Sequence, residues 1–210
     1  MLKGEEVQSL TVMFLQMWNV DDKQQEQCER YMTPYTDGFE LHDGYVLPYA
    51  DSPFDNEDVG AEVYLHILNH SREYVHIMTP YLILDYDMMS TLTRVAKSGV
   101  EVTIIMPAIP DKRYAFDLAK TYYRELLAAG VQIFEYTPGF IHAKVFVSDD
   151  NTATVGTVNL DYRSLYLHFE CGAFIYQNPC VYSIEKDFQE TLDLCHKVTL
   201  MEVQKRSLYT

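Results

Sequence analysis

Apolar positions along most of the chain alternate between helical and strand spacing. From Val7 to Trp18 they recur at roughly helical intervals, and residues 5–32 are predicted to form a helix. A loop is predicted at Thr33–Gly44, where Pro34 and Gly38 interrupt the pattern. Strands are then predicted at Tyr45–Tyr49, Tyr74–Met78, Val100–Met106 and Val131–Tyr136. The predicted helices between them are Asp55–His70, Asp87–Ser98 and Asp111–Ala129.

The last third of the chain follows a different pattern. Strands are predicted at Ile141–Val147, Thr152–Val155 and Phe169–Tyr176, with no long helix between them, so antiparallel pairing is expected. Val181–Val198 is predicted to close the chain as a helix. Strand–helix alternation before this region favours a largely parallel sheet. The fold class predicted from both parts is an α/β/α sandwich with a mixed central sheet.

The charge of the chain limits its partners. Its 210 residues include 16 Lys and Arg against 31 Asp and Glu, a net charge of −15. Nucleic-acid binding draws most of its affinity from basic side chains, so a nucleic-acid partner is not expected. Electrostatic docking on anionic lipid is not expected either.

The cysteine spacing and the lengths of the apolar runs indicate the environment expected for the chain. The four Cys have no C-x-x-C spacing, which favours free thiols in a reducing compartment. No apolar run approaches the ~20 residues of a membrane span, and the N-terminus does not resemble a signal sequence. The chain as given is expected to be soluble.

The candidate chemistry lies between Ile141 and Glu170. In a strand, side chains alternate between faces, which would put His142 and Lys144 on one face, roughly 7 Å apart. Ile141, Ala143, Val145 and Val147 would form the opposite, apolar face. Asp149, Asp150 and Asn151 are expected to form a turn before the next strand, which Gly156 ends.

These residue types suit a phosphodiester. Lys144 can neutralise non-bridging oxygens, Gly156 can let the backbone approach a phosphate, and the Asn159 amide can donate to an oxygen. A neutral imidazole at His142 can attack phosphorus, or it can act as the acid and base for the alcohol. No metal-ligand cluster accompanies them, so neither a metal nor another cofactor is expected.

The pattern His142-x-Lys144-x4-Asp149-x6-Gly156-Thr157-x-Asn159 resembles the HKD motif of the phospholipase D superfamily. Thr157 replaces the usual Ser and keeps its hydroxyl. The resemblance implies a phospholipase D-like fold for residues 43–200, with 1–42 as a helical arm or interdomain segment and 201–210 as a truncated tail. It assigns catalytic roles to His142, Lys144, Asp149 and Glu170. The implied phosphate-binding residues are Lys144, Gly156, Thr157 and Asn159.

Within this family an acidic residue beyond the Asn orients the catalytic His through Nδ1. Glu170 lies 28 residues after His142 and matches that position. The resemblance therefore implies an ion pair that fixes the His142 tautomer and raises its pKa. Asp149 lies past the turn, and we expect it to support geometry more than chemistry.

Four further segments resemble bacterial cardiolipin synthases: FLQMWN, TPYLILD (79–85), GVEVTIIMPAIPD (99–111) and NLDYRSLYLHFECGAFIY. The resemblance implies a lipid-metabolism transferase that joins two phosphatidylglycerol molecules into cardiolipin and glycerol through a phosphohistidine. The parent protein would face the cytoplasm at the cell membrane, which it would reach through regions outside this chain.

Only one HKD motif is visible, since His42 has no Lys two residues later. The partner site would come from an N-terminal half of the same enzyme. A second copy of the chain is an alternative, forming a homodimeric phosphodiesterase. A third reading is that the isolated half-domain is catalytically silent.

Other polar residues have two readings each. His66 and His70 are four apart on a predicted helix, a metal-ligand spacing, but a simple helix-face pair is favoured. Tyr81 could line the site or pack in the core. Asp111 is expected to cap a helix rather than face the site. Arg163 could hold a phosphate or pair with Asp161 or Glu170.

Overall fold

The computed structural model describes residues 2, 4–20, 26–32 and 43–206. Its helices are α1 (Glu6–Trp18), a 3-10 turn (Cys28–Arg30), α2 (Val59–His70), α3 (Tyr86–Lys97), α4 (Arg113–Ala129), α5 (Tyr162–Tyr166), α6 (Cys180–Leu192) and α7 (Leu200–Arg206). Its strands are β1 (Tyr45–Asp51), β2 (Tyr74–Met78), β3 (Leu82–Ile83), β4 (Glu101–Pro107), β5 (Gln132–Tyr136), β6 (Val145–Ser148), β7 (Thr152–Gly156), β8 (Leu160–Asp161), β9 (Glu170–Tyr176) and β10 (Cys195–Lys197).

One eight-stranded sheet organises the molecule, in the order β1-β9-β7-β6-β2-β4-β5-β10. Only the neighbours β2·β4 and β4·β5 are parallel, and the other pairs are antiparallel. The predicted mixed sheet is confirmed. The expectation of a largely parallel sheet is wrong, because parallel pairing is confined to the strands that are joined through helices.

The central strands of the sheet are buried on both faces. On β2, Ile77 belongs to the core cluster that α2, α3 and α4 cover, whereas its neighbour Met78 packs against Phe188 of α6. Ile104 and Ile105 of β4 divide between the same two clusters. Alternating side chains that face helices on opposite sides give three layers, so the predicted α/β/α sandwich is confirmed.

The turn between β6 and β7 matches its prediction. Asp149 and Asp150 both adopt positive φ, 52° and 55°, and the Asn151 N–H donates to the Ser148 carbonyl at 3.1 Å. Two consecutive left-handed residues match the twist of a tight antiparallel hairpin, and Asp tolerates that conformation better than most residues do.

Several predicted boundaries are wrong. The N-terminal helix ends at Trp18 instead of residue 32, and the predicted loop at Thr33–Gly44, with His42, falls almost wholly outside the described residues. The closing helix stops at Leu192, after which β10 pairs with β5. The open edge of β5 offers hydrogen bonds that the local apolar pattern could not reveal.

The division into 1–42, 43–200 and 201–210 stays a prediction. Helix α1 contacts β1, and Val203 of α7 packs against the main core cluster. Within the described part of the chain, no helix is both long and apolar enough to cross a membrane.

Candidate active site

The topology gathers most of the predicted site residues at one edge of the sheet. Val145 of β6 pairs with Val155 of β7, and Gly156 pairs with Gly172 of β9. The start of β6, the end of β7 and the start of β9 therefore meet, and we call this the His142 edge. It carries His142, Lys144, Gly156, Thr157, Asn159 and Glu170. The C-terminal ends of β2 and β4 reach the same edge, since Met78 pairs with both Val145 and Ile105.

Residues 141–144 precede the regular strand, which begins only at Val145. The predicted apolar face is confirmed, because Ile141, Ala143 and Val145 pack in the cluster around Phe188. The prediction that His142 and Lys144 lie on one face of a strand is wrong, because both residues precede the strand and differ in burial. His142 is exposed, whereas Lys144 is buried and its Nζ turns back to donate to the His142 carbonyl at 2.6 Å.

The amine of Lys144 is buried close to two carboxylates. Burial lowers the pKa of its amine, while the nearby carboxylates of Glu170 and Asp161 oppose that shift. The same two carboxylates favour the charged form of Lys144. One of the three ammonium protons is used on the His142 carbonyl, which leaves two for other acceptors.

The imidazole of His142 lies beside the Phe140 ring, with centroids 5.5 Å apart. Its pKa is lowered, first by burial and then by the charge of Lys144, with Asp111 acting in the opposite direction. A lowered pKa keeps the ring neutral at pH 7, the form that a nucleophilic imidazole requires.

The predicted ion pair between Glu170 and His142 is wrong for this structure, as is the raised His142 pKa. The nearly buried Glu170 carboxylate accepts hydrogen bonds from the hydroxyls of Thr157 and Ser164, the latter at 2.5 Å. Its Oε1 also lies 3.4 Å from Nδ1 of His168. Across the described ranges His142 is not among its hydrogen-bond or ion-pair partners, and two hydroxyls occupy its oxygens.

Ser164 links this carboxylate to Asn159. The single Ser164 hydroxyl proton goes to Glu170, so its oxygen accepts from the Asn159 amide nitrogen at 3.0 Å. Asn159 Oδ1 is buried and has no partner within the described residues. Asp161 caps α5 by accepting from the Ser164 backbone N–H at 3.0 Å. The sequence reasoning missed Ser164, although its place three residues after an Asp is typical of a helix start.

A short two-stranded ladder positions Asn159. Leu82 and Ile83 of β3 pair with Leu160 and Asp161 of β8. The Thr79 hydroxyl accepts from the Leu160 N–H at 3.1 Å and donates to the Tyr81 carbonyl at 2.9 Å. The end of β2 and the Asn159 segment are thereby tied together.

Gly156 is required by strand packing. A Cβ at this position would lie 2.4 Å from the Cys171 carbonyl oxygen and 2.6 Å from the Gly172 Cα. Close approach of β7 to β9 is a sufficient reason for this glycine, and its predicted contact with a phosphate stays a prediction.

Asp149 lies at the opposite edge of the sheet, where β6 ends. Its carboxylate accepts from the backbone N–H groups of Arg72, Glu73 and Tyr74, at 2.8, 3.0 and 2.9 Å. This geometry places Asp149 in a structural contact, away from the other residues for which a catalytic role was predicted.

A cleft of about 390 Å³ opens beside Asn159 and Glu170, and Tyr81, Lys112 and Arg163 line it. The Tyr81 hydroxyl donates to Asp111 at 2.6 Å, and burial together with that carboxylate raises the tyrosine pKa. Asp111 was expected to cap the following helix, but α4 begins after Lys112 without a side-chain cap. Lys112 was not predicted as a site residue from the sequence. The scarcity of basic residues in this acidic chain is the feature that could have identified it.

Metal coordination gains no support from the geometry. Among the residues described, no group of three or more His, Cys, Asp or Glu side chains is arranged to hold a metal ion. The rings of His66 and His70 lie side by side, with centroids 4.0 Å apart and an interplanar angle of 30°.

Residues 64–192 match the family described as "Cardiolipin synthase, PLD-like domain". An uncharacterised protein of Streptococcus mutans is 54% identical over the whole chain and 45% of its own length. Cardiolipin synthase 2 of Bacillus anthracis is 36% identical over 99% of the chain and 40% of its length. The chain thus spans less than half of the curated relatives that it matches.

Solved structures agree on the fold. Nuc from Salmonella typhimurium, a phospholipase D family member, superposes with a TM-score of 0.62 at 19% identity, over 74% of this chain and 99% of its own. Phosphatidylserine synthase from Haemophilus influenzae gives 0.61 at 18% identity, over 73% of this chain and 40% of its own. With the family match covering more than half of its residues, this chain belongs to the phospholipase D-like domain family of cardiolipin synthases.

Proposed function

We propose that the protein containing this chain transfers a phosphatidyl group between two phosphatidylglycerol molecules, and that this chain supplies one of two HKD half-sites. The products are cardiolipin and glycerol. One observation carries the proposal: the side chains of His142, Lys144, Thr157 and Asn159 gather at one sheet edge, next to a cleft with two further cations. Family membership supports phosphatidyl transfer as the type of reaction.

The proposed first step uses His142 as the nucleophile. The bond from its ring nitrogen to phosphorus forms as the bond from phosphorus to the glycerol oxygen breaks. Glycerol leaves with a proton from an acid in the partner half-site. Of the two roles open to His142, the lowered pKa favours this one, because only the neutral ring has a lone pair for attack.

In the second step a hydroxyl of another phosphatidylglycerol attacks the phosphohistidine. It passes its proton to the same partner group as the nitrogen–phosphorus bond breaks, which regenerates His142. Lys144, Lys112 and Arg163 stabilise the negative charge on the phosphoryl oxygens during both steps. Thr157, Ser164 and Asn159 hold the site together around Glu170, and no step requires a metal.

The test is covalent trapping in the full-length protein. With phosphatidylglycerol labelled with ³²P, we expect acid-labile label on the wild type and none on His142→Ala, together with a loss of turnover of at least about a thousandfold. His196→Ala is the matched control, because His196 pairs with Glu202 on the surface. Label or turnover that survives in His142→Ala contradicts the proposal.

We propose the N-terminal half of the parent protein as the partner of this half-site. A second copy of the chain is the alternative. Light scattering on a sizing column separates the two. A strict monomer at high concentration excludes the symmetric dimer, whereas a dimer that turns over substrate without any other half excludes the first arrangement.

A further inference from the structure

A second cavity lies at the sheet edge opposite the His142 edge. We call it the distal cavity; its volume is about 600 Å³, within the range of small-molecule sites. Strand β6 runs from one edge to the other, and its last residue, Ser148, lines the distal cavity together with Asp149. The end of α2 and the strands β1 and β9 supply other parts of the lining.

One wall of the distal cavity is apolar. Tyr45 and Leu47 of β1 are cross-strand partners of Tyr176 and Phe174 of β9, so the four side chains stand on one face of the sheet. They line the cavity, and Tyr45 and Leu47 are 66% and 57% exposed. Exposed apolar groups grouped along a cavity mark a place where an apolar ligand gains free energy by displacing water.

The rest of the lining is mostly polar and includes three basic residues. Arg72, His66 and His70 all line the cavity. Arg72 forms no ion pair with any residue that the structure describes, although the chain carries 31 acids. The one carboxylate in the lining, Asp149, is occupied by three backbone amides.

The cavity lining also has a hydrogen-bond donor in the Asn151 side chain. Asn151 uses its Oδ1 to accept from the Thr152 hydroxyl at 2.6 Å, which leaves its amide nitrogen available as a donor. A guanidinium with an amide and imidazoles nearby matches the several oxygens of a phosphate better than a single-point anion, because the guanidinium donates through a planar fork.

The two imidazoles lie close enough together for an anion to change the environment of His66. His70 Nδ1 contacts the His66 carbonyl at 2.8 Å, and the two rings are tilted by 30° with their centroids 4.0 Å apart. The pKa of His66 is lowered by burial and then by the charge of His70. A bound anion would offset that repulsion and raise the His66 pKa. The charged groups around this pair are Arg72, Asp149 and, on α2 itself, Glu62.

We propose that the distal cavity binds a phosphate ester with an apolar substituent, holding the phosphate at Arg72 and the substituent against the wall of Tyr45, Leu47, Phe174 and Tyr176. This site is separate from the catalytic residues, and the proposal does not depend on the reaction assigned to His142.

The test follows the imidazole proton signals of His66, His70 and His142 by NMR during three titrations. The probes are inorganic phosphate, sn-glycerol 3-phosphate and dihexanoyl phosphatidic acid below its micelle concentration. We expect saturable shifts of His66 and His70, with the lipid binding at least about tenfold more tightly than inorganic phosphate. Arg72→Gln should weaken the binding about tenfold or more. Arg124→Gln, an exposed arginine on α4, is the matched control and should change nothing.

Several outcomes overturn the proposal. It fails if no probe shifts His66 and His70 saturably, or if only His142 responds, because the phosphates then bind solely at the other edge. It also fails if Arg72→Gln binds as the wild type does. Equal affinity for inorganic phosphate and the lipid would contradict the proposal, because the apolar wall would then contribute nothing to binding. Tighter binding of glycerol phosphate than of the lipid would also contradict it and would indicate a soluble ester as the ligand.

Discussion

Lys144 acts on His142 through its charge as well as through the hydrogen bond to the backbone. We expect Lys144→Met to raise the pKa of His142, because the ammonium is the second cause of the lowered value and Met keeps the side-chain volume. The pKa should stay below its ordinary value, since burial is the larger cause and remains. An NMR pH titration of the His142 ring measures this in the folded protein without relying on activity.

The control for this titration is Lys97→Met, an exposed lysine at the end of α3. It should leave the His142 titration unchanged. A His142 pKa that stays the same or falls in Lys144→Met would mean that the two charges do not interact as the geometry indicates.

Gly156 gives a second prediction for a single residue. Adding a Cβ would force β7 and β9 apart, so Gly156→Ala should cost about 1–3 kcal/mol of unfolding free energy. Gly139→Ala is the matched control, because a Cβ there meets nothing within 4 Å. We expect it to lie within about 0.5 kcal/mol of wild type in chemical denaturation. Equal stability of the two variants would contradict the packing role of Gly156.

For the site, the sequence sufficed to identify residue types and spacing but not hydrogen-bond partners. His142, Lys144, Thr157, Asn159 and Glu170 do meet at one edge, as the pattern predicted. The partners of Glu170 could not be predicted, because two hydroxyls and the His168 imidazole, rather than His142, lie beside its two oxygens. That choice depends on how the segments around Glu170 fold in space, which spacing along the chain does not contain.

For whole elements, the β6–β7 hairpin is locked to the start of β2 by Asp149. We expect Asp149→Asn to lose about 1–3 kcal/mol, because one amide oxygen cannot replace a carboxylate that accepts three backbone hydrogen bonds. Asp150→Asn is the control, since Asp150 has a similar positive φ but its carboxylate accepts, among the described residues, only from the Tyr74 hydroxyl. Denaturant unfolding should place Asp149→Asn clearly below Asp150→Asn; the reverse order would refute this role.

Strands and helices were predicted best where the local pattern of apolar residues is sufficient to specify them. Tyr74–Met78 and the antiparallel strands after residue 145 are cases of this kind. The segment 141–144 was assigned to a strand because alternation requires only an extended backbone, whereas a ladder requires a partner in register. Likewise, β10 exists because β5 has a free edge far away in sequence. Non-local hydrogen bonding explains both errors.

At the scale of the whole molecule, the negative charge should govern contact with membranes. The net charge of −15 predicts that the chain does not bind anionic vesicles through charge. In co-sedimentation, lower salt should therefore not increase binding to phosphatidylglycerol vesicles, because screening weakens only attraction between charges. A polybasic peptide serves as the positive control. Binding that rises with the phosphatidylglycerol fraction and falls with salt would show that a local basic surface overrides the net charge.

Strand β6 has a consequence for how variation along this chain can be tolerated. Lys144 precedes the strand, and Asp149 follows it to fasten the far end to the residues before β2. Inserting one residue between them would either pull Asp149 off its three amides or turn every side chain of β6 to the other face. The number of residues between Lys144 and Asp149 is therefore fixed by the distance along β6 from one edge of the sheet to the other. Substitutions within β6 that preserve its volume should be tolerated far better than any change in its length.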